Sequence, residues 1–175
     1  MDKIEEVEII RLEKKKFRPK QKPCFRTFFR KIKFWLPKGK IIDSNKVLEI
    51  ILNTFGKNYY YHILISDERY RLMERKQLEE LLKKDKTDQY QYIPEDFDCN
   101  NFAEVLDGNI DELTYPQGYA FGQLWFYTNE FGHAINFAIL EDESLVLIEP
   151  QNDEIFTWED IKKQYPEARA FMVKI

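Results

Sequence analysis

The sequence predicts an α+β domain, because helical periodicity dominates its first half and strand-like runs dominate its second half. The chain has 175 residues, of which 43% are hydrophobic, and this is enough to bury a core. Two cysteines, Cys24 and Cys99, are too few for a disulfide framework. The sequence shows neither a long apolar run nor a secretory signal. We therefore expect a soluble, cytoplasmic protein.

Charge divides the chain into a basic N-terminal arm, residues 1–40, and an acidic domain, residues 41–175. Residues 11–40 carry 13 Lys and Arg against one acid, Glu13, whereas the domain has a net charge of −13. Aromatic rings alternate with the cations of the arm. Such a segment suits an anionic membrane surface or an acidic partner, and a nucleic-acid strand ranks behind these. It also suits a helix that packs on the acidic domain.

The first half of the domain is predominantly helical in its pattern. Asp43 or Ser44 can cap a helix that ends at Gly56. A second helix follows two short strand-like runs, with its leucines on one face. The strand-like runs cover residues 59–66 and 70–73, and the second helix covers residues 74–84. In the arm, residues 4–12 are predicted to form a strand or a helix.

The second half alternates between one helix and several strands. Cys99 follows a capping residue, Asp98, and begins a helix that Gly108 is expected to end. Thr157 and Asp160 resemble a capping box at the start of a short helix. The predicted strands of this half cover residues 119–127, 133–140, 145–150 and 168–175.

Cys99 lies where a thiol can be activated. The N-terminus of a helix carries partial positive charge, which lowers the pKa of a thiol placed there. Asp98 and Asn100 give Cys99 polar neighbours that an inert core cysteine rarely has. The alternative is that Cys99 is a small buried apolar residue, as most free cysteines are.

His133 and Glu149 are predicted to meet across two paired strands. If Leu140 pairs with Ser144, the register places His133 and Glu149 diagonally on one face, about 7–8 Å apart at the backbone. A slip of one residue would put them on opposite faces. A carboxylate beside the imidazole would orient the ring and stabilise its cationic form.

Three motifs together resemble a known domain: DCNNFA, GHAINFAI and LVLIEPQ. The resemblance is to the C-terminal papain-like domain of Marasmius-type fungal agglutinins and related phage or bacterial proteins, and it covers about residues 59–154. It implies a papain-like α+β fold, with a nucleophile helix packed on an antiparallel sheet, and calcium-dependent cysteine protease activity. By motif position, Cys99 matches the nucleophile, His133 the base and Glu149 the acid that orients it.

The function expected from this resemblance is that of a cysteine hydrolase, a peptidase acting on a peptide or protein through a thioester. A transglutaminase-like acyl transferase uses the same three residue types. A non-catalytic binding protein on the same fold is the alternative from a different class.

Two further groups of residues complete the expected site. The first group are candidates to line a substrate cleft: Trp125, Gln123 and Asn136. The second group offer the oxygen ligands that calcium prefers, although their spacing matches no EF-hand loop: Asp96, Asp98 and Asp153. The sequence itself requires no cofactor, and Ca²⁺ follows from the resemblance alone.

Overall fold

The computed structural model describes residues 8–11, 39–56 and 62–175, and its elements are named in chain order. A short 3-10 helix, Thr87–Gln89, lies between the second and third α-helices. The other elements of these ranges are β1 Glu8–Arg11, β2 Ile41–Asp43, α1 Ser44–Phe55, β3 His62–Ile65, β4 Arg69–Arg71, α2 Arg75–Leu82, α3 Cys99–Thr114, β5 Phe121–Tyr127, β6 Gly132–Ile139, β7 Leu145–Glu149, β8 Glu154–Phe156, α4 Trp158–Gln164 and β9 Arg169–Lys174.

Seven of the described strands form one mixed sheet in the order β1-β3-β9-β5-β6-β7-β8. The pairs β1–β3 and β3–β9 are parallel, and the pairs from β9 to β8 are antiparallel. β2 and β4 pair separately as a two-stranded antiparallel sheet. The strands β5 to β8 thus form a continuous antiparallel unit, and β9 joins this unit to the parallel strands.

The central sheet buries apolar side chains on both faces, because successive residues of a strand point to opposite sides. One face packs with α1 and α4, and its core includes Leu124, Ile135 and Trp158. The other face packs with α2 and α3, and its core includes Ala138 and Ile148. Each side chain on β6 therefore belongs either to the α4 face or to the α3 face, and this assignment decides which groups can meet.

Several local predictions are confirmed by the structure. The Asp43 carboxylate accepts a hydrogen bond from the Lys46 backbone N–H at 2.9 Å and caps α1. Gly56, with φ of 95°, ends this helix in a conformation that favours glycine. Thr157 and Asp160 form the reciprocal capping box that opens α4. Short-range signals were sufficient for these helix ends.

The predicted end of the Cys99 helix is wrong. α3 continues through Gly108 to Thr114, because Ile110 and Thr114 are buried and hold its last turns. Gly108 is exposed, so its missing side chain leaves no gap in the core. A glycine inside a helix costs about 1 kcal/mol relative to alanine, and buried contacts beyond it offset this cost.

The papain-like arrangement expected for the fold also needs correction. The expectation was a helical first part, with the nucleophile helix packed on an antiparallel sheet, but the first part contributes the strands β1 and β3 to the sheet itself. β1 pairs in parallel with β3, and β3 pairs in parallel with β9. The reason is physical: β3 is an apolar run whose alternate residues, Ile63 and Ile65, are buried, and such a run forms a strand when a partner edge is available.

Most of the predicted basic arm, residues 1–40, lies outside the described residues. The prediction that the arm binds a membrane surface, an acidic partner or a nucleic acid therefore stays a prediction. Within that range the structure describes β1, which pairs with β3, and residues 39 and 40. No helix in the described part of the chain is long and apolar enough to cross a membrane.

Candidate ligand site

His133 and Glu149 meet as the register predicts. The Leu140 N–H donates to the Ser144 carbonyl at 2.9 Å, and Asn136 lies opposite Ile148. This register places His133 and Glu149 on the α4 face of the sheet. The His133 Nε2 lies 2.7 Å from the Glu149 Oε2, with both side chains mostly buried. The predicted pairing of imidazole and carboxylate is therefore present.

Glu149 is also held by its own turn. Its Oε1 accepts hydrogen bonds from the backbone N–H of Gln151 at 3.3 Å and from the Gln151 side-chain amide at 3.2 Å. Both carboxylate oxygens thus have partners, which fixes the side chain. The ring of Phe126, the cross-strand neighbour of His133, lies edge-on to the imidazole with centroids 5.8 Å apart.

A cavity of about 370 Å³ opens beside this pair, between the strands and α4. Aromatic rings form part of its wall, and Phe131 and Tyr165 meet edge-to-face with centroids 5.3 Å apart. Polar side chains from the β7–β8 turn and from α4 form the rest. The lining residues are Phe126, Phe131, His133, Glu149, Asn152, Glu154, Phe156, Asp160, Ile161, Gln164 and Tyr165. A concave site with apolar walls and a few polar groups is typical of small-ligand binding.

The cavity is negatively charged. Three carboxylates line it, from Glu149, Glu154 and Asp160, against a single imidazole. The Lys163 ammonium hydrogen bonds to Asp160, and with Thr157 it lowers the pKa of this carboxyl to about 2. Asp160 therefore stays ionised at any ordinary pH.

Cys99 occupies the predicted first position of α3. Asp98 caps this helix by accepting from the Asn100 N–H at 3.0 Å, and Asn101 accepts from the Asp98 N–H. The thiol is partly buried. Burial, followed by the charges of Cys99, Asp98 and Glu95, raises the pKa of Tyr92.

The structure does not link Cys99 to the His133–Glu149 pair through a hydrogen bond. α3 packs on the face of β6 that carries Asn136, whose amide donates to the Ala103 carbonyl at 2.9 Å. His133 belongs by alternation to the α4 face, and in the part of the chain that the structure describes no hydrogen bond joins its ring to the thiol. The grouping of Cys99 with His133 and Glu149 in one site stays a prediction.

The residues proposed for the cleft lie under or beside α3. Gln123 and Asn136 are buried, and Gln123 donates to the Asp107 carboxylate at 2.7 Å. Trp125 donates from its indole N–H to the Asn100 side chain at 3.0 Å. These bonds fasten the helix to the sheet. In this arrangement Gln123 and Asn136 have no open surface to offer a substrate.

The proposed metal ligands do not gather around one point. Asp96 and Asp98 precede α3, whereas Asp153 lies in the β7–β8 turn. Within residues 8–11, 39–56 and 62–175, no group of three or more His, Cys, Asp or Glu side chains could hold a metal ion. Calcium binding therefore stays a prediction from the resemblance.

Asp153 itself is electrostatically unusual. Burial, followed by the charges of Asp88 and Asp85, raises its pKa to about 6. Its Oδ1 is buried and has no hydrogen-bond partner among the described residues. The carboxylate form is thus disfavoured in the folded chain.

We expect Asp153→Asn to stabilise the fold by about 1 kcal/mol near neutral pH. The full shift corresponds to about 3 kcal/mol for a sealed group, and solvent screening of this partly exposed carboxyl reduces it. Because the folded-state pKa is raised from 3.8 to about 6, the penalty grows as pH rises between these two values and is fully present above about 6. Urea unfolding of both proteins should show a difference at about pH 7.5 that vanishes near pH 4.

The matched control for this prediction is Asp142→Asn. Ser144 lowers the pKa of Asp142 through a side-chain and a backbone hydrogen bond, so the carboxylate is favoured there. This substitution should be neutral or slightly destabilising near neutral pH. An Asp153→Asn protein that is less stable than the parent at about pH 7.5 would contradict the assigned penalty.

Among the solved structures that are similar in fold to the chain are two complexes. One is a complex of PSL1a with E64: the TM-score is 0.65 at 16% identity, covering 77% of this chain and 51% of that one. The other is the Polyporus squamosus lectin bound to the human-type influenza-binding epitope Neu5Aca2-6Galb1-4GlcNAc: the TM-score is 0.62 at 17% identity, covering 77% of this chain and 49% of that one. At these identities the likeness concerns the fold alone, and this chain spans about half the length of each neighbour.

No family model matches the sequence, and no curated protein does. The expected membership in a papain-like family is therefore contradicted, because the second neighbour is a lectin and no papain-like model matches. The same finding contradicts the cysteine hydrolase, the peptidase and the enzyme assignment.

Proposed function

We propose that the chain is a non-catalytic binding protein that holds a saccharide in the cavity beside His133 and Glu149. The cavity carries this proposal, because it joins aromatic walls to a set of fixed polar groups. Sugars present apolar C–H faces that pack on rings, and hydroxyls that pair with carboxylates and amides. The second support is the lectin neighbour, whose structure contains a bound saccharide epitope.

The oriented carboxylate suits recognition as well as it suits catalysis. Glu149 is fixed by His133 and Gln151, so little side-chain entropy is lost when a ligand hydroxyl donates to it. Asn152 and Gln164 add amide groups that both donate and accept. Such preorganised polar groups determine which hydroxyl pattern is accepted.

Titration calorimetry with a saccharide panel tests the proposal. The panel contains the neighbour's epitope and its neutral core, Galb1-4GlcNAc, and we expect at least one neutral member to bind with a Kd of about 1 mM or tighter. Phe131→Ala should weaken that binding at least about tenfold, because it removes a partly exposed wall of the cavity. Phe171→Ala is the control, since Phe171 is similarly exposed and does not line the cavity. If no member binds, the proposal fails.

The non-catalytic part of the proposal has its own test at Cys99. We expect iodoacetamide to label this thiol at the rate of an ordinary cysteine, with no change in His133→Ala. Incubation with E64, the compound in the PSL1a complex, should leave the intact mass of the chain unchanged. Fast labelling that depends on His133, or a mass increase that Cys99→Ala abolishes, would show a reactive thiol site and overturn the non-catalytic assignment.

A further inference from the structure

The strongest unexplained feature of the cavity is a pair of opposed carboxylates. Glu149 and Glu154 are directly paired across β7 and β8, so their side chains leave the sheet on the same face. Directly opposed residues have Cβ atoms about 4.5–5.5 Å apart, and like charges at this spacing destabilise a strand pair. A ligand that bears positive charge would relieve this repulsion.

Glu154 is the carboxylate available to such a ligand. Glu149 already has protein partners in His133 and Gln151, and Asp160 already has partners in Thr157 and Lys163. Among the described residues, the Glu154 carboxylate has neither a hydrogen bond nor an ion pair, and its side chain is exposed. A hydrogen-bond donor that enters the cavity can therefore pair with the Glu154 carboxylate on β8, the strand at the edge of the sheet.

The remaining lining favours a cation as well. His133 is the only described lining side chain that can carry positive charge, and its Nε2 is directed at Glu149. Phe131, Phe156 and Tyr165 line the cavity, and the face of an aromatic ring attracts an ammonium group through its quadrupole. The acidic domain around the cavity adds long-range attraction for cations and repulsion for anions.

We infer that the ligand of this cavity carries an ammonium group, which lies between Glu154 and the aromatic wall. This inference rests on the proposed function and narrows its ligand class to an amine-bearing saccharide. It also predicts discrimination against acidic sugars, since a carboxylate would face two or three negative charges. A divalent metal is a poor occupant, because the described residues offer no suitable group of ligands.

The test compares three probes at about pH 6, where a sugar amine is protonated. These are a glucosamine disaccharide, its N-acetylated counterpart and choline, each titrated calorimetrically into the whole chain. We expect the free amine to bind at least about tenfold tighter than the acetylated sugar, with an affinity that falls as salt is added. Choline binding in addition would show that the ammonium group alone is recognised, whereas its failure would show that the sugar ring is needed, and both results keep the inference.

Glu154→Gln is the decisive variant, because it removes the free anion while keeping the side chain's shape. It should reduce the preference for the amine to within about twofold, and Glu104→Gln, an exposed change on α3 outside the cavity, should leave it intact. Equal binding of the two disaccharides, or tighter binding of the sialylated epitope, overturns the inference and leaves the proposed function standing. Binding of none of these probes, and of no neutral sugar, overturns both.

Discussion

Gly122→Ala is expected to destabilise the fold by about 3 kcal/mol, which is the upper end of the usual cost of overpacking a core position. Gly122 lies in β5, and a Cβ added there would approach the Lys174 carbonyl oxygen to 2.2 Å and the Phe137 ring to 3.1 Å. The Lys174 oxygen belongs to the backbone of the neighbouring strand, so it cannot move without breaking the sheet. Urea unfolding followed by circular dichroism measures this loss as a lower midpoint with little change in slope.

Gly108→Ala is the matched control and should have the opposite effect. A Cβ at Gly108 meets nothing within 4 Å, and the residue is exposed inside α3. Alanine at a helix interior is favoured over glycine, so we expect a gain of about 1 kcal/mol. Similar stabilities for the two variants would contradict the close approach of β5 to β9.

Phe102→Ala is expected to cost about 3–5 kcal/mol, the usual loss for truncating a buried phenylalanine. Phe102 is 1% exposed in the first turns of α3, and its ring contacts those of Tyr92 and Phe97. The loss of stability should therefore extend to the segment before α3, which contains Tyr92 and Phe97. Hydrogen exchange should show faster exchange around residues 90–98, together with a lower unfolding midpoint.

Leu113→Ala in the same helix controls for the general cost of shortening a side chain. Leu113 is 39% exposed, so its truncation should cost less than about 1 kcal/mol. If Phe102→Ala were as mild as this control, α3 would not be anchored by Phe102, and the position of Cys99 would depend on other contacts.

The pairing of His133 with Glu149 was predictable because the signals for it are local. Strand alternation and the short turn between β6 and β7 are enough to fix the register, which places the two side chains on one face. The helix caps at Asp43 and Thr157 were predictable for the same reason, since each involves residues three positions apart.

The cavity and the mixed sheet could not be predicted, because they depend on contacts between distant parts of the chain. Phe131 meets Tyr165 only after α4 folds back on the sheet, and the three-residue strand β8 is too short to show a period. The parallel pairing of β3 with β9 joins residues 110 apart, such as His62 and Met172. No window of sequence contains such a pair.

The place of β9 in the sheet has a consequence for how the chain reaches its final structure. β9 is synthesised after β3 and β5, yet it lies between them in the sheet. While the polypeptide emerges from the ribosome, β3 and β5 each have an unpaired edge until β9 has been synthesised. Unpaired strand edges can associate with other chains. We expect assembly to be slow and sensitive to loss of residues 169–174, because a truncated product would consist of two halves with no strand to connect them.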